Sequence, residues 1–179
     1  MLKRLGLVML SFFVISLAGC AKPTITPSVD VQTNQQVGHM RELAVRVVDN
    51  ANLSPQIQQA LQGIDLVQTY EPQLESAMKQ YGFVPVPYDA TLNRKLTVQI
   101  VDLTYNTSNS GLFSGATISG VVETDAINGM VTFSRQYSGY VTTGLIGGNN
   151  KTTLAIQRLM NELFSKALSD QQLVQFLSK

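Results

Sequence analysis

Residues 116–142, "ATISGVVETDAINGMVTFSRQYSGYVT", decide the fold. Asn128-Gly129 lies between two runs in which polar and apolar residues alternate, and Asn-Gly in that setting is the strongest short hairpin signal. A two-residue turn there sets Ile127 opposite Met130. One face then collects Ile118, Val122, Thr124 and Ala126 with Val131, Phe133 and Tyr137. The other collects Thr117, Ser119, Glu123 and Asp125 with Thr132, Ser134, Gln136 and Ser138. Turn chemistry and polarity select the same register, because a slip of one residue would exchange the faces. One face of the sheet is therefore expected to be buried and the other wet, with Gly120 opposite Tyr137.

Working outward, residues 95–105 read as another strand and residues 40–49 as the first, where Leu43, Val45 and Val47 alternate with Ala44, Arg46 and Val48. Ser54 and Pro55 open a short helix that ends before Gly63. A longer helix is expected over 71–81. Pro72 opens it, Leu74, Ala77, Met78 and Tyr81 form its apolar stripe, and Gly82 stands at the C-cap. Pro85 and Pro87 make 83–88 an extended connector. After Asn149 and Asn150 a helix carries Leu154, Leu159, Leu163 and Leu168, and a second segment, 170–177, restarts after Ser169 with Gln172 closing a capping box. The order is β-α-β-β-β-α. The expected class is α+β, two-layer, with a mainly antiparallel four-stranded sheet and two main helices on one face.

The N-terminus gives an address. Met1, Leu2, Lys3 and Arg4 precede an uncharged run from Leu5 to Ala18, too short for a spanning helix and right for a secretory signal. Leu17-Ala18-Gly19-Cys20 resembles the bacterial lipobox, whose cysteine thiol receives a diacylglyceryl group and becomes the new N-terminus on cleavage. Cys20, the only cysteine, is thus expected to be a lipidated anchor to the membrane. Two or three acyl chains would hold firmly, since each buried methylene contributes about 0.8 kcal/mol. Ala21 is not the aspartate that in enteric bacteria tends to retain lipoproteins in the inner membrane, so the outer membrane, facing the periplasm, is the expected location. The domain division is 1–19 signal peptide, 20–38 lipidated cysteine and flexible tether, and 39–179 one periplasmic domain. As a free coil the tether would span roughly 20–25 Å.

Without Lys3 and Arg4 the mature formal charge is about −1. That balance gives no basic face for nucleic acid. One histidine, His39 at the tether's end, leaves no nucleophile–base pair and no metal-ligand set, so no enzyme activity, cofactor or metal is expected. "GGNNKTT" at 147–153 departs from a phosphate-binding loop at Asn150, where glycine is required, and reads better as a helix start than as a nucleotide site.

Two features remain. Arg135 falls on the face expected to be buried, and Asp102 continues the row Leu96, Val98, Ile100. They could pair beneath the helices, reach water at the sheet margins, or frame a ligand site. "GLFSG" at 111–115 and "GLIGG" at 144–148 each place two large apolar residues in a small-residue loop, and an antiparallel meander brings both loops to one end of the sheet. Leu112, Phe113, Leu145 and Ile146 therefore either plug the core or form a contact tip.

"LAGCAKP", the tether with "TITPSV" and the late "DQQLVQFLSK" together resemble the YajG family of bacterial lipoproteins over essentially the whole chain. That resemblance implies an envelope address and carries no catalytic residues. The element order is also similar to that of LptE, the lipoprotein partner of the lipopolysaccharide-inserting barrel, as an architectural analogy. The expected function is a lipid-anchored interaction domain with an envelope protein partner; the alternative is a carrier for a lipid or cell-wall fragment.

Overall fold

The computed structural model describes residues 24–31, 33, 36–110, 113–144 and 149–179. Among these residues nine elements follow in the order β1 (Glu42–Leu53), α1 (Pro55–Ala60), α2 (Leu66–Gln80), β2 (Val84–Pro87), β3 (Arg94–Ser110), β4 (Phe113–Asn128), β5 (Val131–Gly144), α3 (Asn149–Leu168) and α4 (Gln171–Ser178). The class is α+β, as expected, but the sheet is five-stranded and mixed, in the order β2-β1-β3-β4-β5. β1 pairs in parallel with both β2 and β3, while β3, β4 and β5 form an antiparallel meander. The fifth strand is the segment expected to be a connector. Proline cannot donate to a ladder, which confines it to edges, and β2 with Pro85 and Pro87 is an edge strand against β1. α1 and α2 supply the crossover that parallel β1 and β2 require.

The β4–β5 hairpin forms with a register two residues from the expected one. Asn128 pairs with Val131, so Gly129 and Met130 are the turn. Gly129 has φ +64°, the positive value that the first turn position of a II′ hairpin assigns to glycine. A shift of two leaves side-chain parity intact, so the expected faces survive except at Val131, which was expected to be buried and is 61% exposed beside the turn. Ala116, Ile118, Val122, Thr124 and Ala126 are buried, and Glu123, Asp125, Ser134 and Gln136 lie on the open face. Val122 rather than Gly120 faces Tyr137, and Gly120 pairs with Gly139. What covers this glycine pair is α3: a Cβ on Gly120 would stand 2.8 Å from Leu103 Cδ2 and 3.2 Å from Leu159 Cδ2. Two bare backbones side by side let the helix approach the sheet closely.

Helices cover the inner face, with α3 on β4 and β5, α2 on β1, α1 on β3 and α4 on β4. α2 starts five residues before the expected point. Asp65 caps it by accepting from Gln68 N–H at 3.0 Å, and Pro72 lies inside the helix rather than opening it. Its stripe is as expected, with Leu74, Ala77, Met78 and Tyr81 buried, and Leu66 and Tyr70 extend it. Tyr70 stacks at a tilt on Phe164 of α3, with ring centroids 4.7 Å apart. In α3, Leu159, Leu163 and Leu168 are fully buried, but Leu154 is 60% exposed and stands outside the core stripe. α4 is capped by Asp170, which accepts from Gln172 and Leu173 N–H, and not by the expected Ser169 box.

The expected free tether is in part a strap. Ile25 and Val29 pack against the core and Val31 is buried, while Thr24, Thr26, Ser28 and Asp30 face outward. Between them the N–H groups of Thr26, Ser28 and Asp30 donate to Gln157 Oε1, Asn161 Oδ1 and Ser165 Oγ of α3, at 3.3, 3.3 and 3.2 Å. The match is geometric. Two extended residues rise about 6.7 Å and four helical residues about 6.0 Å, so each outward-facing strap residue meets the next turn of the helix. The strap runs parallel to α3, its earlier residues nearer the helix start.

Candidate functional site

Arg135 and Asp102 do not form the pair that the strand rows suggested. Val101 is an extra residue in β3: Ile100 pairs with Val122 and Asp102 with Val121. A bulge of one residue reverses the side-chain alternation beyond it. Leu103 therefore takes the core row, and Asp102 joins Val121 on the open face. Arg135 lies two strands away on the helix-covered side, where its partner is a residue the sequence reading used only as the start of the last segment. Its guanidinium donates to Asp170 Oδ2 at 2.5 Å and to Gln172 Oε1 at 2.5 Å, and it stands 5.3 Å from the ring centre of Phe133.

Asp170 is the centre of this cluster. It also accepts from Tyr137 Oη at 2.7 Å and from Gln172 N–H at 2.8 Å. Burial works to raise its carboxyl, and the hydrogen bonds from Tyr137, Gln172, Arg135 and Leu173 outweigh that, holding it below the ordinary carboxylate value. Burial and the bond to Asp170 push the Tyr137 phenol well above its usual range. A phenol that keeps its proton and a carboxylate that keeps its charge make a latch rather than an acid–base pair. The latch holds α4 on the hairpin, together with the Phe133–Phe176 ring contact at 5.7 Å and the bond from Asn128 Nδ2 to Phe176 O at 2.9 Å.

Cys20, Leu112, Leu145 and Ile146 lie outside the described residues. Phe113 is the first residue of β4 and pairs with Ser110, the last of β3, so β4 already begins within the stretch 111–115. Ser110 pairs with Phe113, and Gly115 with Gly144, so the strand ends that flank both apolar loops stand at one end of the sheet, as the meander required. His39 is exposed. Among the described residues no three of His, Cys, Asp and Glu gather as a metal site, and no helix is long and apolar enough to cross a membrane.

At the same end as those loops lies a groove of about 330 Å³ that the sequence reading did not find. Val141, Thr142 and Thr143 of β5 form one wall, and Lys151, Leu154, Ala155 and Arg158 of α3 the other. Lys151, Leu154 and Arg158 recur at i, i+3 and i+7 and are all exposed. In the sequence the signal is a cationic stripe, hidden because Leu154 reads as core. A second open cleft, between β5 and the later turns of α3, is lined by Glu162 and Lys166, which pair at 2.6 Å.

The protein is thus a two-layer α+β domain with a docked N-terminal strap, an open polar sheet face and a cationic groove at the strap's leading end. No protein-family model and no curated protein match the sequence. Among solved structures it is similar to a putative neuraminyllactose-binding hemagglutinin homolog from Helicobacter pylori, at 10% identity and TM-score 0.53, over 84% of this chain and 97% of that one. That likeness shows the fold alone. Bacterial lipoproteins are also among the similar structures. The minor lipoprotein from Acinetobacter baumannii has 12% identity and TM-score 0.41 over 78% and 91% of the two chains. Lipoprotein GNA1162 from Neisseria meningitidis has 12% identity and TM-score 0.30 over 68% and 96%.

Proposed function

We propose that this protein is an outer-membrane lipoprotein of YajG type, anchored through acylated Cys20, whose periplasmic domain acts by binding an envelope protein and has no catalysis of its own. The observation that carries this is the docked strap. It leaves only three residues, Ala21, Lys22 and Pro23, between Cys20 and Thr24, the first residue of the described body. A domain tied this closely to its acylation point works at the membrane surface rather than at a distance from it. The latch favours the interaction reading over the carrier reading: α4 fills the space beside Arg135 where a ligand was to be held.

The contact tip is Leu112, Phe113, Leu145 and Ile146. Mass spectrometry of the native N-terminal peptide should find acyl chains on Cys20, and Cys20→Ser should release the protein from the membrane fraction. Replacing the four tip residues with Ser should leave the melting temperature unchanged and abolish in-cell crosslinking from Phe113's neighbourhood to a defined envelope protein. A large fall in melting temperature would instead make the tip a core plug.

A further inference from the structure

We infer that the groove between the end of β5 and the first half of α3 is a docking surface for anionic phospholipid headgroups of the membrane that holds the anchor, so that the domain sits with this end down. The inference rests on the lipid-anchor reading of Cys20. Two further observations carry it, and they are independent of each other.

The first is the reach of the chain. Thr26 is level with Gln157 and Ser28 with Asn161, so the strap runs toward the start of α3 as it is traced back to Thr24. The four residue steps from Thr24 back to Cys20 span at most about 14 Å when extended. An acylated Cys20 must therefore lie within about 14 Å of Thr24, which stands in the strap beside the first half of α3. The opposite end of the sheet, with the Gly129–Met130 turn, stands at the far end of β4 and β5, about twelve residues along β5 from Thr142 and roughly 40 Å distant. The tether cannot bring that end to the anchor point without undocking the strap.

The second is charge. Residues 149–161 of α3 contain Lys151 and Arg158 and no acidic residue, and β5 contributes no acid either. The acids of this helix surface begin at Glu162, which is paired with Lys166. Lys151 and Arg158 are exposed and in no ion pair among the described residues. Leu154, 60% exposed, lies between them on the helix surface. Two cations flanking one apolar side chain match the headgroup layer, where phosphates meet the first methylenes. Thr142 and Thr143 on the facing wall supply hydroxyls. Each basic side chain near an anionic surface contributes roughly fivefold in occupancy, so the pair should contribute about twenty-five-fold at low salt.

The test uses the acylated protein purified from membranes and reconstituted in phosphatidylcholine vesicles with or without phosphatidylglycerol. Because the anchor occupies Cys20, a single added thiol can carry a fluorophore, at Leu154→Cys or at Met130→Cys. Headgroup-spin-labelled lipid should quench position 154 several-fold more than position 130, and phosphatidylglycerol should enlarge the difference. Lys151→Glu with Arg158→Glu should remove that enlargement while the protein still floats with the vesicles and keeps its melting temperature. Equal quenching, stronger quenching at 130, or indifference to charge reversal overturns the docking surface and leaves the anchor standing. Failure to float with vesicles, with no acyl mass on the N-terminal peptide, refutes the anchor and this inference with it.

Discussion

Removing the Asp170 carboxylate tests the latch, and its size follows from what the group holds. As the N-cap of α4 it contributes about 1 kcal/mol. The bond from Tyr137 Oη to a charged acceptor, at 2.7 Å and largely covered, contributes about 1.5–3 kcal/mol. The Arg135 pair adds less than about 1 kcal/mol, because the arginine side chain is 40% exposed. These contributions share one carboxylate and do not add fully, so Asp170→Ala should lose about 3 kcal/mol. For a chain of this size that lowers Tm by about 6–12 °C in a calorimetric scan at pH 7. Asp170→Asn keeps the cap and should lose about half as much. The sign with pH is fixed by the direction of the shift. A carboxyl held below its unfolded value stabilises the fold above about pH 4, and that contribution is lost as pH falls through the folded value. The gap between the native protein and Asp170→Asn should therefore be full at pH 7 and close in acid. A gap that widens in acid, or an alanine variant within about 0.5 kcal/mol of the native protein, would refute the latch.

The glycine pair makes a graded prediction. A Cβ at Gly120 meets Leu103 at 2.8 Å, whereas one at Gly139 meets Leu159 and Leu163 at 3.3 Å, so Gly120→Ala should cost about 1–2 kcal/mol in urea unfolding and Gly139→Ala less than half of that. Equal effects would mean that α3 stands further from the sheet than these distances require. For the strap, Val29→Asp should expose residues 24–31 to limited proteolysis at a rate the native protein does not show, with little change in the fragment that remains. Cleavage at the same rate in both would mean that the strap is not held.

Much of this was legible in the sequence. The hairpin and its two faces are legible in residues 116–142, because period-two alternation survives an error of two in register; the turn, the cross-strand pairs and the exposure of Val131 are not. What failed were features set by tertiary context. The Val101 bulge reverses a row that reads as regular through Ile100, so Asp102 was placed on the wrong face. β2 was hidden by its prolines, which speak against a strand everywhere except at an edge. The strap was written in plain sight: Ile25, Val29 and Val31 occupy alternate positions, but a polar, proline-bearing composition outweighed a period of two. Arg135 pairs with Asp170 rather than Asp102, and that partner lies on a helix cap that pattern reading treats as local.

The strap also determines how the domain answers to pulling. Tension applied at Thr24 along the axis of α3, away from its C-terminal end, loads the three strap bonds at Thr26, Ser28 and Asp30 together, in shear. A pull across that axis would open them one after another, beginning at Gln157. The same eight residues are therefore stiff in one direction and weak in the other, and the fold has the mechanics of a zip fastener tugged lengthwise.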